Sequence, residues 1–252
     1  MKINGNTILI TGGTRGIGRT LAQAFHQRGN QVIITGRRQT LIDEMLRENP
    51  GMAGFCLDVG NDAQLAALTQ YARAYFPGLN VLIANAGISQ AEDFTRDSWS
   101  ADVAQQIVDT NIMGVIRTTA ALLPIIKQQP QATLMATSSA LAFVPRADFP
   151  TYCASKAFLH TWLLCLRHQL KPIPLEVLEL SPPYVQTTLT GREQATDPRA
   201  MPLPDYINEV MRLLEQQAHP DGEILLERDK PRRRAEREGT FAQIFQAMNP
   251  DA

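Results

Sequence analysis

Short apolar runs alternate along the chain with segments in which apolar side chains recur every three or four residues. Uninterrupted, often β-branched runs are typical of strands buried on both faces, and the longer spacing indicates the buried face of a helix, as at Leu21 and Phe25 or at Phe158, Trp162 and Leu166. The runs predict seven strands, at residues 7–10, 31–35, 54–58, 81–85, 133–137, 175–180 and 223–226.

Strand and helix alternate throughout, which favours an α/β fold: one doubly wound parallel sheet of about seven strands with helices on both faces. Helix-ending signals stand at the expected boundaries. Gly29 follows the first helix, and Pro50 and Pro77 close the second and third, whereas Asn61 or Asp62 is placed to cap the third helix.

The length of 252 residues suits one large domain or two small ones. Because no repeat, linker or break in composition divides the chain, we expect a single domain over residues 1–252. The stretch from 182 to 204 is rich in Pro, Thr and Gly, and we expect a substrate loop or lid over about 188–215. Residues 228–252 are expected to form a tail helix, whose apolar face at 241–248 packs either on its own sheet or on a second subunit.

Charge and cysteine content narrow the class of partner. The formal net charge of −1 predicts neither nucleic acid nor an anionic membrane as a partner, so a small molecule is favoured. Cys56, Cys153 and Cys165 form no CxxC pair, and no apolar stretch is long enough to span a bilayer or has the form of a signal peptide. These features predict reduced thiols and a cytoplasmic location.

A glycine-rich stretch, Thr11-Gly-Gly-Thr-Arg-Gly-Ile-Gly18, lies between the first strand and the first helix. Glycines allow a sharp turn and a close backbone approach, and the free N–H groups and dipole of the following helix attract a phosphate. The spacing Gly-x3-Gly-x-Gly differs from the general dinucleotide fingerprint, and a purely structural turn is the alternative.

The end of the second strand, about twenty residues further on, predicts which dinucleotide binds. An acidic side chain there would accept the ribose 2′-hydroxyl of NAD, but this chain has Gly36 followed by Arg37 and Arg38. With Arg15 in the glycine loop, these arginines can surround a 2′-phosphate, so NADP(H) is preferred over NAD(H). The alternative is that the arginines are simply solvated.

Tyr152 and Lys156 are separated by one helical turn and therefore share a helix face. A phenol can act as an acid or base near neutral pH if a neighbouring cation stabilises the phenolate, and Lys156 can be that cation. The pair alone is common by chance.

Taken together, the glycine loop, Asn85-Ala86-Gly87, Asn111, Ser138-Ser139 and Tyr152-x3-Lys156 resemble the classical short-chain dehydrogenase/reductase family, in order and at fitting separations. The resemblance implies a Rossmann-type fold and hydride transfer between a nicotinamide and a carbonyl or alcohol. It implies that Tyr152 donates the proton, that Lys156 holds the nicotinamide ribose and lowers the pKa of the tyrosine, that Ser139 bonds the substrate oxygen, and that Asn111 anchors a proton-relay water.

For the cofactor, the glycine loop, the arginines and the resemblance together imply a binding site made of Gly12, Thr14, Arg15, Gly16, Ile17, Gly18, Arg37, Arg38, Asp58, Val59, Asn85, Ala86, Gly87, Tyr152, Lys156, Pro182, Val185 and Thr187. Asp58 resembles the carboxylate that bonds the adenine amino group; capping of the third helix is its alternative role. Pro183 replaces the glycine usual in the family and cannot donate an N–H, so the loop beside the nicotinamide must differ.

The Pro182-Pro183 pair and the residues that open the chain resemble the DltE-like branch of the family. The resemblance also implies a homodimer or homotetramer. A rival hypothesis is a dinucleotide-binding sensor or assembly protein that keeps the fold without turnover; the intact Ser139, Tyr152 and Lys156 set argues against it.

Two further predictions concern the surroundings of the site. The four histidines, at positions 26, 160, 168 and 219, form no metal-binding motif, so no metal is expected. A partly apolar substrate pocket is expected from five residues: Ile88, Phe143, Phe149, Tyr184 and Leu189.

Overall fold

A computed structural model describes residues 1–216 and 219–250. Its seven strands form one parallel sheet: β1 (Thr7–Ile10), β2 (Gln31–Gly36), β3 (Ala53–Cys56), β4 (Leu79–Ala84), β5 (Ala132–Thr137), β6 (Leu175–Leu180) and β7 (Glu223–Ile224). The strand order is β3-β2-β1-β4-β5-β6-β7. The order reverses between β1 and β4, and open parallel sheets bind ligands at the carboxyl ends of strands flanking such a reversal.

Helices cover both faces of the sheet. They are α1 (Gly16–His26), α2 (Gln39–Glu48), α3 (Asp62–Tyr75), α4 (Asp102–Ile107), α5 (Gly114–Ile126), α6 (Pro150–Leu170), α7 (Leu203–Glu215), α8 (Lys230–Arg234) and α9 (Phe241–Met248). One core cluster contains side chains of α1, α2 and α7, and the other contains those of α3, α5 and α6. The predicted doubly wound parallel fold is therefore confirmed.

Each predicted strand begins and ends within two residues of the observed one, and β1 and β6 have the predicted bounds. Asn61 rather than Asp62 caps α3, since its Oδ1 accepts a hydrogen bond from the N–H of Gln64 at 3.0 Å. Gly29 follows α1 with a φ of +80°, a left-handed conformation that favours glycine.

The predicted lid, residues 188–215, divides into two parts. Its first part is irregular apart from a short 3₁₀ turn at Glu193–Thr196, but its last part is α7, an ordinary core helix. Tyr206, Val210 and Leu214 are fully buried and follow helical spacing, so this helix is anchored to the sheet by its apolar face. Extending the lid through residue 215 was therefore wrong.

The tail also differs from the single helix expected over 228–252. It contains two short helices, α8 and α9, and residues 251–252 lie outside the described part of the chain. No residue of α9 is fully buried, but its apolar residues Phe241, Ile244, Phe245 and Met248 are half-buried. Packing of this face on the sheet or on a second subunit stays a prediction. Asn249, which follows α9, accepts a hydrogen bond from the N–H of Ala147 at 2.6 Å and donates one to the carbonyl of Pro145 at 3.1 Å. The tail thus contacts the loop that leads into α6.

Between α4 and α5 the helix passes through a π-helical segment, Val108–Met113. Such segments are rare and often occur at functional sites, because the extra residue changes which side chain faces the neighbouring elements. Here the segment contains Asn111, whose side chain is completely buried. Among the described residues, no helix has the length and apolarity that crossing a membrane would require.

Candidate active site

A cleft of about 490 Å³ opens at the carboxyl ends of the strands, beside the reversal between β1 and β4. All of the residues expected to bind the cofactor line this cleft. So does Ser139, whereas Asn111 lies beneath the lining, close to Gly87. Residues from seven separate stretches of sequence therefore meet in one place.

The glycine loop is closely packed against the segment after β4. A Cβ atom on Gly12 would lie 2.9 Å from the Cα of Ala86, and Gly12 has a φ of +66°. A Cβ atom on Gly18 would lie 2.4 Å from both the carbonyl oxygen of Gly12 and the side-chain nitrogen of Asn85. Only glycine fits at these two positions, and the loop backbone is consequently exposed to a ligand in the cleft.

Asn85 holds the glycine loop in place from the neighbouring strand. Its Nδ2 donates to the carbonyl of Thr11 at 3.1 Å, and its Oδ1 accepts from the hydroxyl of Thr137 at 3.2 Å. The hydroxyl of Thr11 in turn accepts hydrogen bonds from the backbone N–H groups of Asn85 and Ala86. Asn85 therefore acts by fixing the loop at the ends of β1, β4 and β5.

The far end of the cleft is cationic. Arg15, Arg37 and Arg38 are exposed and line it beside Gly36. Within residues 1–216 and 219–250, none of the three makes an ion pair with a carboxylate, so their guanidinium groups face solvent and the cleft. A Cβ on Gly36 would lie 2.8 Å from a side-chain carbon of Thr14, so this position must stay small.

Asp58 lies on the cleft wall at the end of β3 and does not cap α3. Its Oδ1 accepts a hydrogen bond from the N–H of Gly60 at 2.9 Å, while Asn61 provides the cap. The carboxylate is exposed, so it is accessible from the cleft. Val59 beside it is buried against the Cα of Gly114.

Tyr152 and Lys156 lie one turn apart in the first half of α6, and both are buried at the cleft. Burial raises the pKa of the Tyr152 phenol to about 12, although hydrogen bonding with Ser139 lowers it in part. The ammonium group of Lys156 lies 5.6 Å from the centre of the phenol ring.

Lys156 donates a hydrogen bond from Nζ to the carbonyl of Thr137 at 2.8 Å. Burial lowers its pKa to about 8, and the negative charge of Glu179 opposes that change. A Cβ on Gly87 would lie 3.5 Å from the Lys156 Nζ, so the ammonium group reaches the backbone that follows β4.

Ser139 begins the short 3₁₀ turn Ala140–Ala142, where its hydroxyl accepts a hydrogen bond from the N–H of Leu141 at 3.1 Å. The hydroxyl proton is not used in that contact, so it can be donated to a ligand or to the Tyr152 phenol. The hydroxyl of Ser138 is buried and points the other way, toward Glu179, to which it donates a hydrogen bond.

Asn111 holds the segment after Gly87. Its Oδ1 accepts from the N–H of Ile88 at 2.9 Å, and its Nδ2 donates to the carbonyl of Ile88 and to the hydroxyl of Ser155, each at 3.0 Å. Asn111 thus joins the π-helical segment, the loop after β4 and α6. Ser155, which sequence reasoning missed, shares this contact because it lies between Tyr152 and Lys156 on α6.

The loop after β6 forms the last wall of the cleft. Pro182, Pro183, Val185 and Thr187 line it, and the carbonyl of Pro182 accepts a hydrogen bond from the N–H of Ala140 at 2.9 Å. A buried glutamine that sequence reasoning missed, Gln194, donates from Nε2 to the carbonyl of Val185 at 2.8 Å. This contact links the 3₁₀ turn of the loop directly to the cleft wall.

The expected apolar pocket is present only in part. Ile88 and Leu189 line the cleft, but Phe143, Phe149 and Tyr184 are not among the lining residues. Phe143 instead packs edge-on against the ring of His160 at 5.1 Å, and the hydroxyl of Tyr184 contacts Asp197. Including those three aromatic residues in the pocket was wrong, because their partners lie elsewhere.

Comparisons with known proteins agree with this geometry. The profile of the short chain dehydrogenase family matches residues 6–198. An uncharacterized oxidoreductase of Bacillus subtilis (strain 168), DltE, is 39% identical over 194 residues, which cover 77% of each chain. The chain belongs to the short-chain dehydrogenase/reductase family. It is a classical member of this oxidoreductase family, in the DltE-like branch.

Solved structures of other family members share the fold. A short chain dehydrogenase from Burkholderia cenocepacia J2315, in complex with NADP, has a TM-score of 0.82 and 20% identity, with all of both chains covered. A short chain dehydrogenase from Shigella flexneri, complexed with NADP, has a TM-score of 0.73 and 25% identity over 83% of this chain and 89% of that chain. A 3-ketoacyl-(acyl-carrier-protein) reductase from Brucella melitensis, complexed with NADH, has a TM-score of 0.76 and 22% identity over 89% of this chain and 95% of that chain.

Proposed function

We propose that the chain is an NADP(H)-dependent oxidoreductase that transfers a hydride between a nicotinamide and a carbonyl or alcohol substrate, with Tyr152 as the general acid or base. The observation that carries this proposal is the convergence of Ser139, Tyr152 and Lys156 on one wall of the cleft whose other end is the glycine loop. A protein that only bound a dinucleotide would need neither a serine hydroxyl nor a buried phenol at that wall.

The residues present fit a nicotinamide dinucleotide. The absence of side chains at Gly12 and Gly18 lets the glycine loop pack against Ala86 and Asn85 with its backbone exposed at the cleft. The N-terminus of α1 follows the loop, and its free N–H groups attract a pyrophosphate. Asp58 at the opposite wall is accessible to an adenine amino group. Two of the structural neighbours are complexes with NADP and one is a complex with NADH, which supports this cofactor class without separating the two dinucleotides.

The preference for NADP(H) rests on the charges at the adenosine end. Arg15, Arg37 and Arg38 bring three positive charges to the cleft, and Gly36 occupies the position where an acidic side chain would select NAD(H). A guanidinium group binds a phosphate dianion through charge-assisted, frequently bidentate hydrogen bonds. We therefore assign the 2′-phosphate of NADP(H) to this cluster.

In the reductive direction, the bound cofactor would supply the hydride. The hydroxyl of Ser139 donates a hydrogen bond to the substrate oxygen and polarises it, and Tyr152 donates its phenolic proton to the same oxygen. Lys156 stabilises the phenolate that forms, from a position fixed by Thr137, and it would also hold the nicotinamide ribose. Asn111 keeps the loop after β4 beside the ammonium group and anchors the water through which Tyr152 is reprotonated.

We place the protein in the cytoplasm because Cys56, Cys153 and Cys165 are all unpaired thiols, two of them exposed. We expect a homodimer or homotetramer, which light scattering of the purified protein measures directly.

Turnover with a panel of ketones, aldehydes and alcohols tests the reaction. Oxidation of NADPH is followed by its absorbance for the wild-type protein and for Tyr152→Phe, which retains the ring but has no proton to donate. The proposal expects at least one carbonyl substrate for the wild type and a rate at least about 100-fold lower for the variant. Equal rates for the two proteins would overturn the role of Tyr152.

A further inference from the structure

Glu179 is a completely buried carboxylate near the carboxyl end of β6. It is the fifth residue of the strand, and Leu175 and Val177 on the same face of the strand pack in the core beneath α5 and α6. An apolar side chain would be expected here. Burying an ionised carboxylate reduces stability by an amount on the order of several kcal/mol unless hydrogen bonds and opposite charges compensate for the lost hydration.

Three side chains compensate for the burial of Glu179. Its Oε1 accepts hydrogen bonds from the hydroxyls of Ser138 at 2.5 Å and Ser181 at 3.3 Å. Its Oε2 lies 2.7 Å from Nδ1 of His160. Because an ionised carboxylate can only accept, Nδ1 of His160 must carry a proton. The donors come from the ends of β5 and β6 and from α6.

Two consecutive turns of α6 therefore connect to two adjacent strand ends. Lys156 donates to the carbonyl of Thr137 at the end of β5, and His160, one turn further along the helix, contacts Glu179 on β6. Ser138, which donates to Glu179, lies between Thr137 and Ser139 in sequence. Glu179 thus binds the residue that stands between Thr137, which accepts the hydrogen bond from Lys156, and Ser139.

The groups around Glu179 identify it as a member of a charge network. His160, Glu179 and Glu223 bring three potential ligand atoms within 4.8 Å of one another, although sequence spacing had indicated no such cluster. Glu223, however, is bound by Arg233 through both carboxylate oxygens at 2.8 to 3.0 Å. Since both carboxylates already have donors, the arrangement favours a hydrogen-bonded network over a metal site. The titratable and charged groups that face Glu179 are Lys156 and His160 from α6, Glu223 from β7 and Arg233 from α8.

We propose that Glu179 is a positioning residue of the active site: held by His160, Ser138 and Ser181, it fixes the strand end that carries Ser139 and is the buried counter-charge of Lys156. The proposal deepens the proposed function and rests on it for the catalytic meaning of Lys156. This role explains why a carboxylate is buried at a position where its desolvation reduces the stability of the core.

The counter-charge role makes a measurable prediction about Lys156. The negative charge of Glu179 raises the pKa of Lys156 against the larger opposing effect of burial. Removing that charge should therefore lower the pKa of Lys156 further, while the hydrogen bond to Thr137 remains. A residue that served packing alone would not change the titration of an ammonium group on another element.

The titration of Lys156 can be followed without cofactor or substrate. The chain has five lysines, so the protein labelled with [ε-¹³C]lysine gives five resonances, and a Lys156→Met variant assigns the one of interest. Glu179→Gln keeps the shape of the side chain and removes its charge, and it should lower the midpoint of Lys156 by about 0.5 to 1 pH unit. Glu179→Asp keeps a charge and should restore at least half of that shift.

Glu92→Gln is the matched control. Glu92 is also a nearly buried carboxylate that contacts α6, but it accepts hydrogen bonds from Thr151 at the first turn, both at 3.0 Å. This variant should leave the midpoint of Lys156 unchanged. An unchanged midpoint in Glu179→Gln, or equal shifts in Glu179→Gln and Glu92→Gln, would overturn the proposal.

A second measurement on the wild-type protein keeps the test decisive if Glu179→Gln does not fold. The four histidines are labelled with ¹⁵N, and the tautomer of His160 is read from its ring nitrogen shifts at pH 8. We expect Nδ1 to be protonated. An unprotonated Nδ1 would be an acceptor facing the Oε2 acceptor of Glu179, so no hydrogen bond could form and the network would be contradicted. Both measurements use the protein without ligands, so their failure is separate from a failure to bind or oxidise NADPH.

Discussion

The ammonium group of Lys156 donates a hydrogen bond to the backbone carbonyl of Thr137 across a distance of 2.8 Å. The partner is a main-chain atom of a central strand, so its position depends on the sheet and not on a side-chain rotamer. Two residues further along the same strand end, Ser139 faces the cleft. The proton donor, its supporting cation and the group that polarises the substrate are thus all positioned by α6 and the end of β5.

Burying Lys156 reduces the stability of the protein, and Lys156→Met should reverse that effect while abolishing activity. The pKa of Lys156 falls from 10.5 to about 8 on folding, a difference of roughly 3 kcal/mol at neutral pH. The variant also loses the hydrogen bond to Thr137, which offsets part of this gain. We therefore expect its free energy of unfolding at pH 7 to be about 1 to 2 kcal/mol higher than that of the wild type. Urea denaturation measures this gain.

The sign of the pH dependence follows from proton binding. Between pH 8 and 10.5 the unfolded chain holds a proton at Lys156 that the folded chain has lost, so the wild type becomes more stable relative to Lys156→Met as the pH rises. The advantage of the variant should therefore be largest at pH 7 and should disappear near pH 10. If the difference in free energy of unfolding between the variant and the wild type stayed constant from pH 7 to pH 10, the pKa of Lys156 would not be lowered by folding.

Gly18→Ala should disrupt the glycine loop. The added Cβ would lie 2.4 Å from the carbonyl oxygen of Gly12, a backbone atom that cannot move without the loop. We expect the affinity for NADPH to fall about 10- to 100-fold, as measured by fluorescence titration. Gly29→Ala is the control: Gly29 has a positive φ but open space around it, so alanine there should cost about 1 kcal/mol of stability and leave NADPH binding intact.

Ser138 and Ser139 are adjacent but face opposite sides of the strand end, so their alanine variants should fail differently. Ser139→Ala loses the donor to the substrate oxygen and should lower kcat about 100-fold with little change in stability. Ser138→Ala leaves the buried Glu179 short of a donor and should reduce the free energy of unfolding by about 1 to 3 kcal/mol, with a smaller effect on kcat. Kinetics and urea denaturation of both variants measure these effects. Equal losses of kcat and of stability in the two variants would contradict the opposed orientations of the two hydroxyls.

The parts of the fold and site that sequence could predict are those governed by local chemistry. The apolar runs placed all seven strands, and Tyr152 and Lys156 share a helix face because they are four residues apart. The glycine loop was recognisable because a strand precedes it and a helix follows. The branch assignment from Pro182-Pro183 also holds, since DltE of Bacillus subtilis is 39% identical.

What sequence could not predict depends on contacts between distant residues. Glu179 and His160 are nineteen positions apart on different elements, and neither stands in a motif. Gln194 is one polar residue in an irregular loop, so nothing in its neighbours indicated that it would be buried against Val185. The start of α7 was predictable: Tyr206, Val210 and Leu214 have helical spacing that the Pro- and Thr-rich stretch before them obscured.

The most direct test of the proposed function is calorimetric titration of the purified protein with NADPH and with NADH, compared among the wild type, Arg37→Ala, Arg38→Ala and the control Arg73→Ala. Arg73 is an exposed arginine on α3 that does not line the cleft. We predict that NADPH binds at least about 10-fold more tightly than NADH, and that Arg37→Ala or Arg38→Ala removes most of this preference while Arg73→Ala retains it. Equal or tighter binding of NADH by the wild type, or no binding of either dinucleotide, would contradict the account.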